Sequence, residues 1–298
     1  MNSPPPKPAA DLAPVLGARH DRSATAPSVR SLLVTVLGEL VRPAGGTVWT
    51  QSLIEILDDF GVEPATVRQS ISRLANEGWL TSTRVGRRTR WQITPWATDL
   101  LASGAERIYA LGQPRPDWDG RWLLLMASVP ESRRDLRYQL GVGLGWAGFG
   151  PIGGGTWACP WADRELEAVE IVNELGLQDV TVFHAEVGTA GDSRDLAERG
   201  WDLSSVADAY VDFLATTDLQ PPDDRSTAVA LISLVHAWRR FPLLDPGLPA
   251  SLLPPDWPGE RAATHFATAR ARWQNPASDW WAHTEALFST ARSQRPVL

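Results

Sequence analysis

The chain has 298 residues, of which 43% are hydrophobic, and a formal net charge of −7. No run approaches the ~18 apolar residues of a membrane span, and no secretory apolar segment follows Met1. The single cysteine, Cys159, excludes an internal disulfide and a cysteine-rich zinc site. These features predict a cytoplasmic protein of two or three domains with no membrane partner.

The first predicted elements are an arm and two helices. Residues 1–27 are rich in proline and alanine without periodicity, which predicts a disordered arm. Ser28 to Val41 keeps an apolar i, i+3, i+4, i+7 rhythm behind a serine N-cap, which predicts an amphipathic helix. A shorter helix is expected from Thr50 or Ser52 to Gly61.

The next stretch, residues 64–93, predicts a helix followed by a β-hairpin. Pro64 fits a first helical position, and Gly78 fits the residue just past the helix end. Apolar residues at 67, 71 and 74 form one face, and the opposite face carries small and hydrogen-bonding side chains. Two strands are expected around a turn at Val85–Arg88. This order is that of a winged helix-turn-helix, in which the helix enters a major groove and the wing reaches the backbone or minor groove.

The charge of this stretch supports a polyanionic partner. Residues 64–93 contain six arginines and one acid, Glu77, so the local net charge is +5 in a chain of net −7. A basic patch on an acidic protein indicates a polyanion partner, and the winged helix-turn-helix layout makes double-stranded DNA the predicted one. The predicted base or near-base contacts are Arg68, Gln69, Ser72 and Arg73, with Thr66 and Asn76 at the DNA backbone. Arg84, Arg87, Arg88 and Arg90 are predicted to hold phosphates or enter the minor groove.

A helix beginning at Thr94-Pro95 is expected to connect the winged unit to the next domain or to dimerise. Beyond the turn-rich linker 113–120, strand and helix patterns alternate as βαβαβ, with room for extra strands. This order predicts a ferredoxin-like α/β sandwich for residues 113–190. The winged unit is thereby placed at 28–112 and a helical C-terminal domain at 191–298. In that last domain helices are expected at 203–214, 226–240, 260–273 and 277–291.

Three segments resemble the PaaX-type repressors of phenylacetate degradation. They are SVRSLLVTVLGELV with W-x-x-S-L-I, VRQSISRLANEGWL with GRR in the wing, and LVHAWRRFPLLDPGLPASLLPPDWPG. The likeness runs from about Ser28 to Trp273. It implies a homodimeric α+β repressor with an N-terminal winged helix, a central ferredoxin-like domain and a helical C-terminal domain. It also implies binding to operator DNA and release by an aryl-CoA thioester, phenylacetyl-CoA in the founding case.

Five residues of the central and C-terminal parts are candidates for a ligand site. Arg239 and Arg240 end an apolar helix, where cations commonly cap the last carbonyls. The alternatives are a site for CoA phosphates and a bridge to another domain. Tyr138, Trp146 and Trp238 are the candidates for an aromatic acyl pocket.

Enzymatic and cofactor functions find little support in the sequence. Gly143 to Gly148 matches G-x-G-x-x-G, but a helix is expected before it and a strand after it, the reverse of a dinucleotide site. The histidines do not pair at metal-ligand spacing, and no G-x-S-x-G is present. The central domain also resembles a small ferredoxin-like nuclease, but Glu131 follows the first strand where that fold carries an aspartate. No enzyme activity, metal or cofactor is predicted. A nuclease or hydrolase with an appended winged helix and a protein-binding winged helix remain the alternatives.

Overall fold

The computed structural model describes residues 28–113, 115, 117–130 and 132–290. The predicted arm 1–27, Glu131, and the tail with Arg295 and Pro296 lie outside the described residues. The helices are α1 (Val29–Val36, continued by a π-helical turn Leu37–Val41), α2 (Thr50–Asp58), α3 (Pro64–Asn76), α4 (Pro95–Ala110), α5 (Arg134–Trp146), α6 (Glu165–Glu174), α7 (Ser193–Gly200), α8 (Leu203–Thr217), α9 (Asp224–Trp238), α10 (Phe241–Leu244) and α11 (Gly259–Thr290). The strands are β1 (Thr47–Trp49), β2 (Leu80–Val85), β3 (Arg88–Ile93), β4 (Arg121–Ala127), β5 (Gly150–Gly153), β6 (Thr156–Cys159) and β7 (Val180–Glu186). The fold is therefore mixed α+β.

Local signals in the N-terminal part act as the sequence predicts. The Ser28 hydroxyl accepts a hydrogen bond from the Ser31 N–H and caps α1, and the Thr94 hydroxyl caps α4 in the same way. Pro64 begins α3, and Gly78 follows it with φ 83°, a conformation that glycine adopts without strain. The predicted helices and hairpin of residues 28–111 are confirmed in position.

One strand of this part was missed by the sequence analysis. Strand β1 pairs antiparallel with β3 and completes a three-stranded sheet of order β1-β3-β2. It has only three residues, which are too few for an alternating pattern to be recognised. Its pairing places Trp49 opposite Arg90, and α2 begins immediately after it.

The central part has one strand more than the predicted βαβαβ order. The glycine-rich segment after α5 folds as a β5–β6 hairpin, so the order is βαββαβ. Its four strands form a sheet of order β5-β6-β4-β7 in which every neighbouring pair is antiparallel. Leu123 and Leu125 pack beneath α5 and α6, whereas Trp122 faces the cluster that contains α7. The turn after residue 153 uses three successive glycines with positive φ, and this turn explains the extra strand.

The prediction of two helices at 260–273 and 277–291 is wrong. Helix α11 runs without interruption from Gly259 to Thr290 and contains Pro276. A proline inside a helix costs about 3 kcal/mol because it removes a hydrogen bond and crowds the preceding turn. Here Trp273, Ala277 and Trp281 are buried on both sides of Pro276, in the same hydrophobic cluster as α9. Their packing offsets the local cost.

The N-terminal part and the C-terminal helices share a single core. One cluster contains apolar residues of α1 to α4 together with residues of α8, α9 and α11. Polar contacts cross the same boundary, since the Trp238 indole N–H donates to the Ile108 carbonyl and Arg225 pairs with Glu55 and Asp59. The C-terminal helices therefore pack directly on the N-terminal part.

Candidate nucleic-acid interface

Helix α3 divides into a buried face and an exposed polar face. Val67, Ile71 and Leu74 are completely buried against the N-terminal core. The predicted DNA contacts on this helix are all exposed: Thr66, Arg68, Gln69, Ser72, Arg73 and Asn76. The exposed face carries donors that suit the acceptors of base edges and phosphates.

The hairpin presents the remaining predicted contacts. Val85 pairs with Arg88, so Gly86 and Arg87 form a two-residue turn, and Gly86 has φ 64° as its first position requires. Arg84, Arg87, Arg88 and Arg90 are all exposed. Because alternate residues of a strand point to opposite faces, Arg84 opposite Thr89 lies on one face and Arg88 and Arg90 lie on the other.

A groove of about 590 Å³ separates the start of α2, the exposed face of α3 and the hairpin. Thr50 and Gln51 line it from α2, Arg68 and Ser72 from α3, and Arg87 from the hairpin turn. The groove therefore brings residues of the predicted helix and hairpin around one space. It is open at the surface, and its lining combines these polar and charged side chains with aromatic ones, Trp49, Trp91 and Phe288. The polar and charged side chains suit the sugar-phosphate backbone of a duplex.

The arginines of this surface differ in their intramolecular contacts. Within the part of the chain that the structure describes, the guanidinium groups of Arg68, Arg73, Arg84 and Arg87 have no hydrogen-bond or ion-pair partner. These four guanidinium groups are available to an external anion.

Arg88 and Arg90 are held by the protein itself. Arg88 donates a hydrogen bond to the Phe288 carbonyl at the end of α11. Arg90 donates to the Thr47 hydroxyl at 2.7 Å and lies 5.5 Å from the centre of the Trp49 ring. On α3, the Ser72 hydroxyl donates to the Arg68 carbonyl at 3.0 Å.

The acid in this stretch is neutralised by a residue that the sequence analysis did not consider. Glu77 pairs with Arg30 of α1, with 2.6 Å between Oε2 and Nη2. Arg30 also lies 5.8 Å from the centre of the Trp79 ring. The pair leaves the positive charge of α3 and the hairpin uncompensated locally.

Two of the five predicted ligand residues are buried in structural contacts. Arg239 donates to the Ser31 carbonyl, the Ser31 hydroxyl and the Thr35 hydroxyl, and so joins the end of α9 to α1. Burial, reinforced by the charge of Arg30, lowers the pKa of Arg239 to about 10. Trp238 is fully buried, and its indole N–H is bound to Ile108.

The other three ligand candidates lie in different environments. Tyr138 is 67% exposed on α5, and Arg240 is exposed beside the Phe241 ring. Trp146 is buried, with the Arg107 guanidinium 4.3 Å from its ring centre. The five residues therefore do not form one pocket.

A buried polar cluster between α1, α4 and α11 was missed by the sequence analysis. Glu39 is almost fully buried in the π-helical turn, where it accepts a hydrogen bond from the Tyr109 hydroxyl and pairs with Arg270 at 3.2 Å. Burial and the Glu39 charge raise the pKa of Tyr109. An acid inside the apolar rhythm of residues 28–41 was the available signal, but its partners are 70 and 231 residues away in the sequence.

Two classes of site have no counterpart in the described residues. No group of three or more His, Cys, Asp and Glu side chains there could hold a metal ion. None of the helices in the same residues is long and apolar enough to cross a membrane.

Comparison with known proteins identifies the family. Residues 28–95 match the model of the PaaX-like protein, residues 115–197 that of the PaaX protein central Cas2-like domain, and residues 201–283 that of the PaaX-like protein C-terminal domain. The transcriptional repressor PaaX of Escherichia coli (strain K12) is 30% identical over 262 residues, which are 82% of this chain and 80% of the relative. The solved structure of the uncharacterized protein Rv0674 from Mycobacterium tuberculosis superposes with a TM-score of 0.55 at 26% identity, and covers 84% of this chain and 98% of that one. The chain belongs to the PaaX family of transcriptional repressors.

Proposed function

We propose that the chain is a DNA-binding repressor in which α1 to α3 and the β2–β3 hairpin form a winged helix-turn-helix. The observation that carries the proposal is a set of four exposed arginines on α3 and the hairpin whose guanidinium groups have no partner among the described residues: Arg68, Arg73, Arg84 and Arg87. Phosphate contacts by such residues provide most of the sequence-independent affinity for DNA.

The proposed contacts divide by position. Arg68, Gln69, Ser72 and Arg73 face base edges in the major groove, because they lie on the exposed side of α3. Thr66 and Asn76, near the two ends of α3, contact the backbone. The hairpin arginines, Arg84, Arg87, Arg88 and Arg90, reach phosphates or the adjacent minor groove.

The proposed domain organisation has three parts: 28–112, 113–190 and 191–298. The βαββαβ order and the antiparallel sheet order β5-β6-β4-β7 support a ferredoxin-like sandwich for the middle part. Fold likeness alone carries no function, and we assign no nuclease activity to this part.

We propose a homodimer that reads an inverted repeat. Two equal recognition helices related by a two-fold axis contact half-sites on one face of the duplex, about 10 bp or a multiple of it apart. This arrangement follows from the proposed winged helix and from the dimeric repressors that the chain resembles.

The proposed effector is an aryl-CoA or acyl-CoA thioester, such as phenylacetyl-CoA, that releases the repressor from a catabolic operon. Release requires that the ligand bind one conformation of the dimer better than the other. The shared core of the winged unit and the C-terminal helices supports a coupling between ligand binding and DNA binding. Because α9 and α11 pack against α1 in this core, a movement of either helix would displace α1. Among the ligand candidates, Tyr138 and Arg240 are exposed and open to a ligand.

A mobility-shift titration on the DNA upstream of the gene, repeated with phenylacetyl-CoA and with free CoA, tests both parts. Specific binding that only the thioester releases is the expected result. Specific binding without release would refute the effector and leave the repressor. Absence of specific binding at moderate salt would refute the repressor and favour a protein-binding winged helix.

A further inference from the structure

The C-terminal part of helix α11 contacts two of the three elements that frame the groove, the start of α2 and the hairpin. A Glu285 carboxylate oxygen accepts a hydrogen bond from the Trp49 N–H at 3.2 Å, at the corner where β1 passes into α2. One turn later, the Phe288 carbonyl accepts from Arg88 of the hairpin, and Phe288 lines the groove itself. The last two turns of α11 therefore contact the start of α2 and the hairpin at once.

Each contact satisfies a requirement of a helix end. The first N–H groups of α2 carry partial positive charge, and no side chain of its own N-cap residue, Trp49, caps them. The Glu285 carboxylate supplies a negative charge there. The last carbonyls of α11 carry partial negative charge, and Arg88 supplies a cation. The two contacts are complementary, so they fix α11, the corner and the hairpin in one arrangement.

The surroundings of Glu285 indicate that its position is specified. Burial raises the pKa of Glu285, against the opposing effects of the Ser52 side chain, the Trp49 N–H and the Arg90 charge. Arg90 also contacts Thr47 and the Trp49 ring, so the same corner is held from the hairpin side.

Helix α11 also connects this corner to the rest of the protein. It has 32 residues and is about 48 Å long at 1.5 Å per residue. Arg270, five turns before Phe288, pairs with the buried Glu39 of α1, and Trp273 and Trp281 pack in the core with α9. The helix is therefore anchored along its length before it reaches the groove.

We propose that the last two turns of α11 are part of the DNA-binding apparatus, and that Glu285 and Arg88 are positioning residues that set the hairpin and the β1–α2 corner for the operator. The proposal rests on the proposed DNA interface but revises it at one residue, because Arg88 takes a positioning role in place of the phosphate or minor-groove contact given above to the hairpin arginines. Arg87 contacts phosphate, whereas Arg88 is anchored on α11. Movement of α11 by an effector would then displace the hairpin.

The test measures binding of full-length variants to a labelled operator duplex and to a random duplex of equal length, over a range of salt concentrations. Glu285→Gln removes the charge and keeps the side-chain shape. Glu260→Gln is the matched control, because Glu260 is an exposed acid in the first turn of the same helix. Arg88→Ala and Arg87→Ala form the second matched pair. Thermal unfolding of each variant verifies folding.

We expect Glu285→Gln and Arg88→Ala each to weaken operator binding about tenfold, as the loss of one charged hydrogen bond does, with little change on random DNA and an unchanged salt slope. The variant that carries both substitutions should bind the operator about as strongly as either single variant, because both residues act through the end of α11. Arg87→Ala should weaken both duplexes and lower the salt slope by about one. Glu260→Gln should leave operator binding unchanged.

Two results would overturn the inference while leaving the repressor intact. One is Glu285→Gln binding the operator as Glu260→Gln does. The other is Arg88→Ala lowering the salt slope as Arg87→Ala does. If the unmodified protein does not prefer the operator over random DNA, the proposed function fails, and the inference fails with it.

Discussion

Replacing Arg239 by methionine tests whether this arginine joins the DNA-binding part to the C-terminal helices. Arg239 as a whole is 4% exposed, and its guanidinium donates to the Ser31 carbonyl at 3.1 Å, the Thr35 hydroxyl at 3.0 Å and the Ser31 hydroxyl at 2.7 Å. Arg239→Met keeps an unbranched chain in the same space but removes these hydrogen bonds. The acceptors on α1 then lose a charged donor.

The expected loss follows from two opposing contributions. Hydrogen bonds from a charged donor contribute about 1.5–3 kcal/mol each. Burial of the charge opposes them, since it lowers the pKa of Arg239 to about 10, a change that corresponds to about 3 kcal/mol. Together these values predict that Arg239→Met lowers the free energy of unfolding by about 3 kcal/mol.

Denaturant unfolding of Arg239→Met and Arg240→Met measures this difference. Arg240 is the matched control, because it is the next residue, carries the same charge and is exposed, with its guanidinium 5.3 Å from the centre of the Phe241 ring. We expect Arg240→Met to cost less than about 1 kcal/mol. Equal losses in the two variants, or an unchanged stability of Arg239→Met, would refute the role of Arg239 as a bridge.

Two further predictions concern buried polar groups. Burial and the neighbouring arginines lower the pKa of His236 to about 3 in the folded protein. As the pH falls below about 6.5, the imidazole therefore takes up a proton in the unfolded chain while it stays neutral in the folded one. The free energy of unfolding is for this reason at its full value above about pH 6.5 and decreases below it. Between about pH 7.5 and about pH 5 we expect the free energy of unfolding, measured with denaturant, to fall by about 1–2 kcal/mol in the unmodified protein and not in His236→Gln. The same pH dependence in the two proteins would contradict this.

Glu39→Ala leaves the Tyr109 hydroxyl and Arg270 without their carboxylate, and should lower the free energy of unfolding by about 2–4 kcal/mol. Arg272→Ala, on the exposed side of α11, should change it by less than about 0.5 kcal/mol; equal effects of the two would show that Glu39 is not a structural partner.

Local signals in the sequence predicted the elements of the candidate site. The apolar spacing of Val67, Ile71 and Leu74 determines which face of α3 is buried, and hence which side chains are exposed. Pro64 and Gly78 mark the ends of that helix because their backbone preferences act locally. The exposed arginines of the helix and hairpin could be predicted for the same reason.

Contacts between distant segments could not be predicted in this way. Arg239 and Ser31 are 208 residues apart, and Arg88 and Phe288 are 200 residues apart. Their proximity results from the packing of α9 and α11 on the N-terminal part, which no local pattern encodes. The continuity of α11 through Pro276 has the same origin, since tertiary packing outweighs the local preference of proline.

The most direct test of the account compares the unmodified protein and Arg73→Ala on the operator duplex and on random DNA. If Arg73 reads a base from the exposed face of α3, the variant should lose about 1–3 kcal/mol, or roughly 5- to 150-fold, on the operator and much less on random DNA. Equal losses on the two duplexes would contradict the assignment of α3 as the recognition helix.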